Sequence, residues 1–296
     1  MKRLFIIIVL LAGMAGMRAQ QIIPYSQYME DKYALNPGAA GSLSYNPLTM
    51  AYKRLWSGID DAPSFQMLNS HLAVSDRVGI GGKLFNTTYG PITQFGIEAT
   101  YAYHIPIGEN KLSLGLSGLL YQYYLDKSRL VLENPDDEAI LFGSEKIVVP
   151  DAKFGAYYYA KNYYAGLAVH QLMGRKITLM NKENLENRQV RHYFLHGGYL
   201  YDINGNFSIE PSALIRLIEA GIFQFDINVK GIYKQMVWLG LSYRYQDAVS
   251  IMAGFRKDRI AFGYAYDYAL SDIRKYNTGT HELMFTFKFN RSKPKL

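Results

Sequence analysis

The sequence predicts an all-β fold, a transmembrane antiparallel β-barrel of about fourteen strands with short periplasmic turns and longer extracellular loops. Three observations support this prediction. Between residues 48 and 289, apolar and polar residues alternate in segments of about ten residues. A predicted export signal stands at the amino terminus. The connections at one predicted end of the barrel are all short, and those at the other end include long ones.

Residues 1–19 are predicted to be a signal peptide that exports the chain through the inner membrane. Two basic residues precede an apolar run at residues 4–12, and small residues follow as far as Ala19. This order of charged, apolar and small residues is typical of secretory signals, and the run is shorter than the roughly 20 residues of a membrane-spanning helix. Cleavage after Ala19 leaves Gln20 as the first residue of the mature chain.

Residues 20–47 are predicted to form an arm ahead of the barrel, either in the periplasm or tucked into the lumen as a plug. Their periodicity is weak, and turn-forming residues at positions 36–38 and 41–42 interrupt it. The barrel is predicted to span residues 48–289, and residues 290–296 form a basic tail.

The alternation is clearest from Phe223 to Lys230, where every odd position is apolar and every even position is polar. Successive side chains of a strand point to opposite faces, so this segment has one apolar and one polar face. Similar segments begin near residues 48, 63, 78, 93, 111, 151, 163, 190, 207, 237, 248, 259 and 279. Lipid cannot satisfy an open sheet edge, so strands with a lipid-facing side must close into a barrel.

The inward face of the predicted barrel carries charges of both signs. Its ionisable residues are Lys83, Glu98, Lys153, Glu210, Arg216, Asp226, Lys230, Arg244, Arg256, Glu282 and Lys288. A polar interior is normal for an outer-membrane barrel, and opposite charges in one lumen favour ion pairs across it. Such pairs could line a water channel or hold an internal plug in place.

The connections between predicted strands indicate which end of the barrel faces the periplasm. If the arm starts there, the periplasmic connections fall at residues 75–77, 105–110, 161–162, 202–206, 233–235 and 257–258. The opposite connections include the long segments 126–150 and 171–189 and the medium-length segment 268–278. Outer-membrane barrels have short periplasmic turns and longer outer loops, so we expect the outer membrane of a Gram-negative bacterium.

Composition and motifs argue against several other classes of protein. The net charge is +7, but no block of Lys or Arg resembles a nucleic-acid patch, so we expect no nucleic-acid partner. The absence of cysteine excludes disulfides, thiolate metal sites and a cysteine nucleophile. His192 and His196 share a strand face, but four residues along a strand separate them by about 13 Å, too far for one ion. His170 could join one of them only across a hairpin.

An outer-membrane enzyme is the third class considered. Ser117 and His104 are of the residue types that nucleophilic catalysis uses, but no nucleophile signature surrounds any serine. The prediction is therefore a protein that is not an enzyme, without catalytic residues, bound metal or cofactor.

Motifs at both ends of the chain together form a recognisable set. Near the mature start, Ser-Gln-Tyr at residues 26–28 precedes an Asn-Pro-Gly turn, and an aromatic-basic-Trp element follows at residues 52–56. The chain finishes with Tyr-Asp and Gly-Thr-His-Glu sequences. The residues of the set are Asn36, Pro37, Gly41, Trp56, Tyr266, Asp267, His281 and Glu282. In these motifs the chain resembles the PorP/SprF family. The chain departs from the family in lacking a proline directly after the tryptophan and in its basic tail.

The resemblance implies an outer-membrane component of the type IX secretion system of Bacteroidetes, which also serves gliding motility. It implies a role in export or surface anchoring of cargo proteins. The implied partners are outer-membrane lipid, other type IX components in the periplasm or outer membrane, and secreted or surface cargo. The alternative function for such a barrel is an outer-membrane channel for small solutes.

The long segment at residues 126–150 is the predicted surface for partner binding. It mixes charges with apolar groups that a partner could bury, namely Glu133, Asp136, Asp137, Glu138, Leu141 and Phe142. Long loops commonly carry binding or fold back on their own protein, so the alternative is a lid over the barrel.

Overall fold

The computed structural model is a closed antiparallel β-barrel, which confirms the predicted fold class. It describes residues 22–130, 143–177, 188–219 and 221–290. The strands are β1 (Tyr45–Arg54), β2 (Ser64–Ala73), β3 (Val78–Tyr89), β4 (Ile92–Ile107), β5 (Asn110–Asp126), β6 (Ser144–Tyr159), β7 (Tyr163–His170), β8 (His192–Tyr199), β9 (Tyr201–Asn204), β10 (Phe207–Ile218), β11 (Ile222–Tyr233), β12 (Val237–Arg244), β13 (Ala248–Lys257), β14 (Ile260–Ala269) and β15 (Thr280–Asn290).

Neighbouring strands along the chain pair with one another, and β15 closes the barrel by pairing with β1 from Tyr45 opposite Asn290 to Arg54 opposite His281. Only Leu200 separates β8 from β9, and both pair with β10. These two segments are therefore one interrupted strand. The fifteen segments of the sheet make fourteen crossings, as the sequence predicts.

Helical structure in the described residues is limited to short pieces. The helix α1 (Lys32–Leu35) and a turn of 3₁₀ helix at Pro37–Ala39 belong to the arm. Two further 3₁₀ turns, Lys127–Arg129 and Asp272–Lys275, follow β5 and β14. No helix in the described part of the chain is long and apolar enough to cross a membrane.

The two ends of the barrel differ in the length of their connections. Those that join β4 to β5 and β9 to β10 have two residues each, and the other connections at that end have two to four. The opposite end has long connections of nine residues at 55–63, seventeen at 127–143, twenty-one at 171–191 and ten at 270–279, together with short ones of two or three residues at 90–91, 219–221 and 245–247. We call these ends the short-turn end and the long-loop end. The first residue of β1 and the last residue of β15 both lie at the short-turn end.

The sixth strand begins earlier than the predicted residue 151. Ser144 already pairs with Asp126, and the register continues without a break through Pro150 opposite Leu120. Proline cannot donate to a ladder and is typical of loops or strand edges, so it masked the first half of this strand in the sequence. The connection is therefore residues 127–143 rather than 126–150.

The predicted partner-binding residues of this connection fall outside the described residues. They are Glu133, Asp136, Asp137, Glu138, Leu141 and Phe142. Their part in binding stays a prediction.

The strand β12 illustrates how the alternation divides the two faces of the wall. Leu239 and Leu241 are 66% and 54% exposed, whereas Trp238 and Ser242 are 2% and 5% exposed. The exposed apolar face meets lipid, and the polar or small face meets the lumen.

The first prediction tests whether the exposed face of β12 meets lipid, by placing a charge on that face at two depths in the membrane. Leu241→Arg should lower the free energy of unfolding by about 2–4 kcal/mol, because it places a charge on the lipid face near the bilayer midplane. Val237→Arg, on the same face at the end of the same strand, should lower it by only about 0–1 kcal/mol. Urea titrations of folding into lipid vesicles measure both values. Equal effects of the two substitutions would contradict the assigned membrane position.

Candidate functional site

The described part of the arm, residues 22–44, lies inside the barrel. Tyr28, Met29 and Tyr33 are 1–2% exposed, and Gln27 and Asn36 are fully buried. The arm runs along the barrel axis, from contacts with the wall near the long-loop end to the start of β1 at the short-turn end. Three groups of contacts hold it, one at each level of the lumen.

The first group, near the long-loop end, binds the backbone of the arm at residues 26 and 27. The backbone N–H groups of Ser26 and Gln27 donate to the two carboxylate oxygens of Glu282, at 2.8 and 2.9 Å. The Ser26 hydroxyl donates to Asp267, at 2.7 Å. The Lys53 ammonium lies 2.8 Å from Asp267 and 3.1 Å from Glu282, so it compensates the two buried carboxylates.

The second group is an ion-pair network around Glu30, in the short-turn half of the lumen. The Glu30 carboxylate lies 2.6 Å from the Lys230 ammonium and 2.6 Å from the Arg256 guanidinium. Lys230 also pairs with Glu210, at 2.6 Å. Burial by itself raises the pKa of Glu30, but Lys230 and Arg256 outweigh burial and hold this pKa well below its ordinary value. Glu30 is therefore ionised and binds two wall cations.

The second group continues on the other side of the arm, where α1 contacts β3 and β4. Lys83 donates to the carbonyl oxygen of Ala34, at 3.1 Å. The Tyr33 hydroxyl hydrogen-bonds to Thr100, at 2.8 Å. Lys83 also pairs with Glu98, at 3.4 Å, and Lys153 pairs with the same carboxylate oxygen, at 2.7 Å. These ion pairs run along the wall rather than across the lumen, since Lys83 and Glu98 lie opposite one another on β3 and β4.

The third group is the Asn-Pro-Gly turn at the short-turn end. The Asn36 side-chain amide donates to the carbonyl oxygens of Ala156 and Leu167, at 3.0 and 3.2 Å, and its oxygen accepts from the Gly38 N–H, at 2.9 Å. The turn packs directly on the backbone of the wall, where a Cβ atom at Gly155 would overlap Asn36. The missing side chain there lets the arm approach the strands closely.

Gly41, close to the end of the arm, has a positive φ of 77°. Its N–H donates to Nδ1 of His71, at 2.9 Å, and a side chain there would meet the backbone of Gly79. Both the backbone conformation and the lack of space require glycine at this position.

The family-like residues near the carboxyl terminus divide between the two faces of the wall. Asp267 and Glu282 point inward and bind the arm, whereas Tyr266 and His281 point outward, with ring centroids 5.4 Å apart. Trp56 lies in the connection after β1, where its backbone N–H donates to the hydroxyl oxygen of Thr280, at 3.1 Å. Of the motif residues, Asn36, Asp267 and Glu282 make side-chain contacts between arm and wall.

The candidate residues for metal binding and catalysis make other contacts in the lumen. His170 and His192 lie opposite one another on β7 and β8. The ring nitrogen Nε2 of His170 hydrogen-bonds to the backbone carbonyl oxygen of Leu35 in the arm, at 2.7 Å. The described residues contain no group of three or more metal-ligating side chains. The Ser117 hydroxyl contacts Thr100 and Glu98, and the His104 ring contacts Ala40 and Tyr159.

Sequence reasoning missed the arm residues that bind the wall, chiefly Ser26, Glu30 and Tyr33. The sequence did contain one signal that the arm docks inside the barrel. The predicted inward residues comprise seven bases and four acids, and the arm carries the adjacent acids Glu30 and Asp31. An excess of positive charge inside a lumen and acids on a nearby arm together favour docking of that arm.

A cavity of about 330 Å³ remains in the long-loop half of the lumen, bounded by the amino-terminal end of the described arm. Its lining is mainly apolar and includes Ile22 and Tyr25 of the arm and Phe65, Phe85 and Phe194 of the wall. We call it the upper cavity.

Comparison with known proteins gives a family and a fold. A family model described as "Type IX secretion system membrane protein PorP/SprF" matches residues 17–287. The Ralstonia pickettii toluene transporter TbuX is 9% identical, with a TM-score of 0.53, over 88% of this chain and 93% of that one. The CymD monoaromatic hydrocarbon channel is 11% identical, with a TM-score of 0.51, over 95% of this chain and 97% of that one. At these identities the likeness shows the fold alone. A comparison with curated proteins found no match.

The second prediction concerns the ion pairs that hold the arm. Glu30→Gln should lower the free energy of unfolding by about 3–5 kcal/mol, because it leaves the Arg256 and Lys230 cations without their shared carboxylate. Asp272→Asn is the matched control, since its side chain is 92% exposed and forms its ion pair with the nearby Lys275. The control should change stability by less than about 1 kcal/mol. Similar losses for the two variants in urea titrations would argue that the Glu30 network does not anchor the arm.

Proposed function

The chain belongs to the PorP/SprF family of type IX secretion system membrane proteins, and from this premise we propose that it supports export or surface anchoring of cargo proteins as a plugged barrel. Its place is the outer membrane, where the barrel fold and the family both put it. The proposed role depends on bound partners rather than on flow through the lumen. The observation that carries the proposal is the arm, which three groups of buried polar contacts fix inside the barrel.

The energetics of the arm favour a permanently filled lumen. Release of the arm would leave Lys230, Arg256 and Lys53 facing a lumen without Glu30 or the Ser26 hydroxyl. Breaking one buried ion pair typically costs about 3–5 kcal/mol. The contacts at the other levels of the lumen would have to break as well. Opening by spontaneous loss of the arm is therefore a rare event, and a constantly open pore does not follow from this geometry.

At its short-turn end, the barrel presents only short connections to other parts of a secretion machine. Its short-turn connections have only two to four residues. We propose that type IX components bind these turns and the region where the arm enters the barrel. Contacts of this kind would join the barrel to the rest of the machine.

On the opposite side, β6 extends beyond β7, and β4 and β5 run beside it to nearly the same height. These three strands have 16, 17 and 16 residues, against the roughly 9–11 residues that one bilayer crossing needs. Asp126 and Ser144, the paired ends of the β5–β6 hairpin, are thereby carried away from the membrane. We propose that the connection between them is offered to cargo or partners, with the charged and apolar residues predicted from the sequence as the contact.

The proposed role is non-enzymatic. The hydroxyl of Ser117 and the ring of His104 are engaged with different partners, so they do not form a nucleophile–base pair. Glu30, Glu98, Glu210 and Glu282 of the interior are bound in ion pairs with Lys or Arg.

A channel for small solutes is the second candidate. The upper cavity favours it, because a partly open lumen could admit a small molecule from the long-loop end. The two similar structures named as a toluene transporter and a monoaromatic hydrocarbon channel point the same way. The filled short-turn half of the lumen favours the secretion role over this one.

The third prediction separates the two candidates by conductance. The intact protein in planar bilayers should show little steady current, because the arm fills the lumen. A chain lacking residues 22–44 should conduct more, and Glu30→Gln should show brief openings, with Asp272→Asn as the silent control. A large constant current from the intact protein would favour the channel.

The fourth prediction concerns the cell that makes this protein. Clean deletion of its gene should leave the outer membrane intact but retain a specific secreted or surface protein inside the cell. Quantitative proteomics of surface, medium and periplasm measures this. Restoration by the intact chain, but not by one lacking residues 131–142, would connect the defect with the predicted partner segment. Normal placement of every type IX cargo, together with loss of uptake of a small solute, would contradict the proposed role.

A further inference from the structure

The upper cavity combines an apolar lining with cations. Its ionisable lining includes Lys83, Lys153 and Arg216, and no Asp or Glu is among its described lining residues. The two lysines share the single carboxylate of Glu98, so that cluster retains a net positive charge. The electrostatic field in the cavity therefore favours an anion.

Arg216 makes no direct ion pair within the described part of the chain, although it is only 6% exposed. Its Nε has no hydrogen-bond partner there. Asp226 and Asp247 act on it only at longer range, because both form their direct ion pairs with Arg244, at 3.3 and 3.1 Å. The guanidinium carbon lies 5.5 Å from the centre of the Phe194 ring.

Two more polar groups on the cavity wall are buried without hydrogen-bond partners among the described residues. They are the Tyr25 hydroxyl, on the arm, and the Gln171 side-chain oxygen, at the start of a long connection. Buried polar groups in native proteins nearly always have partners, so several such groups around one cavity point to a ligand.

We propose that the upper cavity binds a small amphiphilic carboxylate, with its headgroup against Arg216 and its hydrocarbon body among the apolar side chains. The volume lies at the lower end of the roughly 300–1,000 Å³ of small-molecule sites, which fits a single medium-length chain rather than a folded partner. Phe65, Met67 and Phe85 supply the apolar wall. The site goes beyond the proposed secretion role and does not depend on it.

Titration of the intact protein in phosphatidylcholine nanodiscs tests this site, with decanoate and the uncharged decan-1-ol as probes. Isothermal titration calorimetry gives the heats, and empty nanodiscs supply the reference. Decanoate should bind saturably at one site per chain. Arg216→Gln should weaken decanoate binding about tenfold, which corresponds to about 1.4 kcal/mol, and should leave decan-1-ol binding unchanged. Lys288→Gln is the matched control, because it removes a lumen cation that does not line the upper cavity, and its affinities should equal those of the parent.

Thr87→Trp provides a second variant, since Thr87 lines the cavity and is 3% exposed. The indole should fill the space and weaken both probes, which keeps the site testable if Arg216→Gln does not fold. Heats that match those of empty nanodiscs would overturn the proposal. Decanoate binding that is insensitive to both cavity variants would overturn it equally.

Discussion

The constraint on which the structure depends is charge compensation inside the lumen. The wall turns an excess of Lys and Arg inward, away from bulk water, and such charges are stable only when they are paired. The arm supplies the missing partner as Glu30, which binds Lys230 and Arg256 together. The position of the arm, the filled lumen and the resulting functional proposal all follow from this interaction.

The two ends of the chain meet because the barrel closes. The pairing of β1 with β15 brings Lys53 beside Glu282 in register, and the hairpin of β14 and β15 adds Asp267. The backbone of Ser26 and Gln27 then binds this cluster. Sequence motifs that are more than 200 residues apart therefore form one structural unit, in which the carboxyl-terminal motif holds the amino-terminal arm.

The lumen is filled unevenly, and this divides the possible functions between its halves. Near the short-turn end, the Asn36 turn packs against the wall backbone at Gly155, with no room for a side chain. Toward the long-loop end, the upper cavity remains beside Arg216. A scaffold that is closed at the short-turn end and holds a small site at the long-loop end is consistent with both halves.

The sequence by itself determined the fold class, the strand count and the inward face, because side chains alternate with a period of two whatever the rest of the molecule does. Trp238, Lys230 and Glu282 lie inward as the alternation requires. The pattern also located nearly every strand, and missed the start of β6 only where Pro150 resembles a loop residue. The tertiary structure alone decided which charges pair. Glu30 binds Arg256, which is 226 positions away in sequence, whereas Arg216 has no direct ion pair among the described residues. Local periodicity contains no information about such distances, which are set by the closure of the barrel and the path of the arm within it.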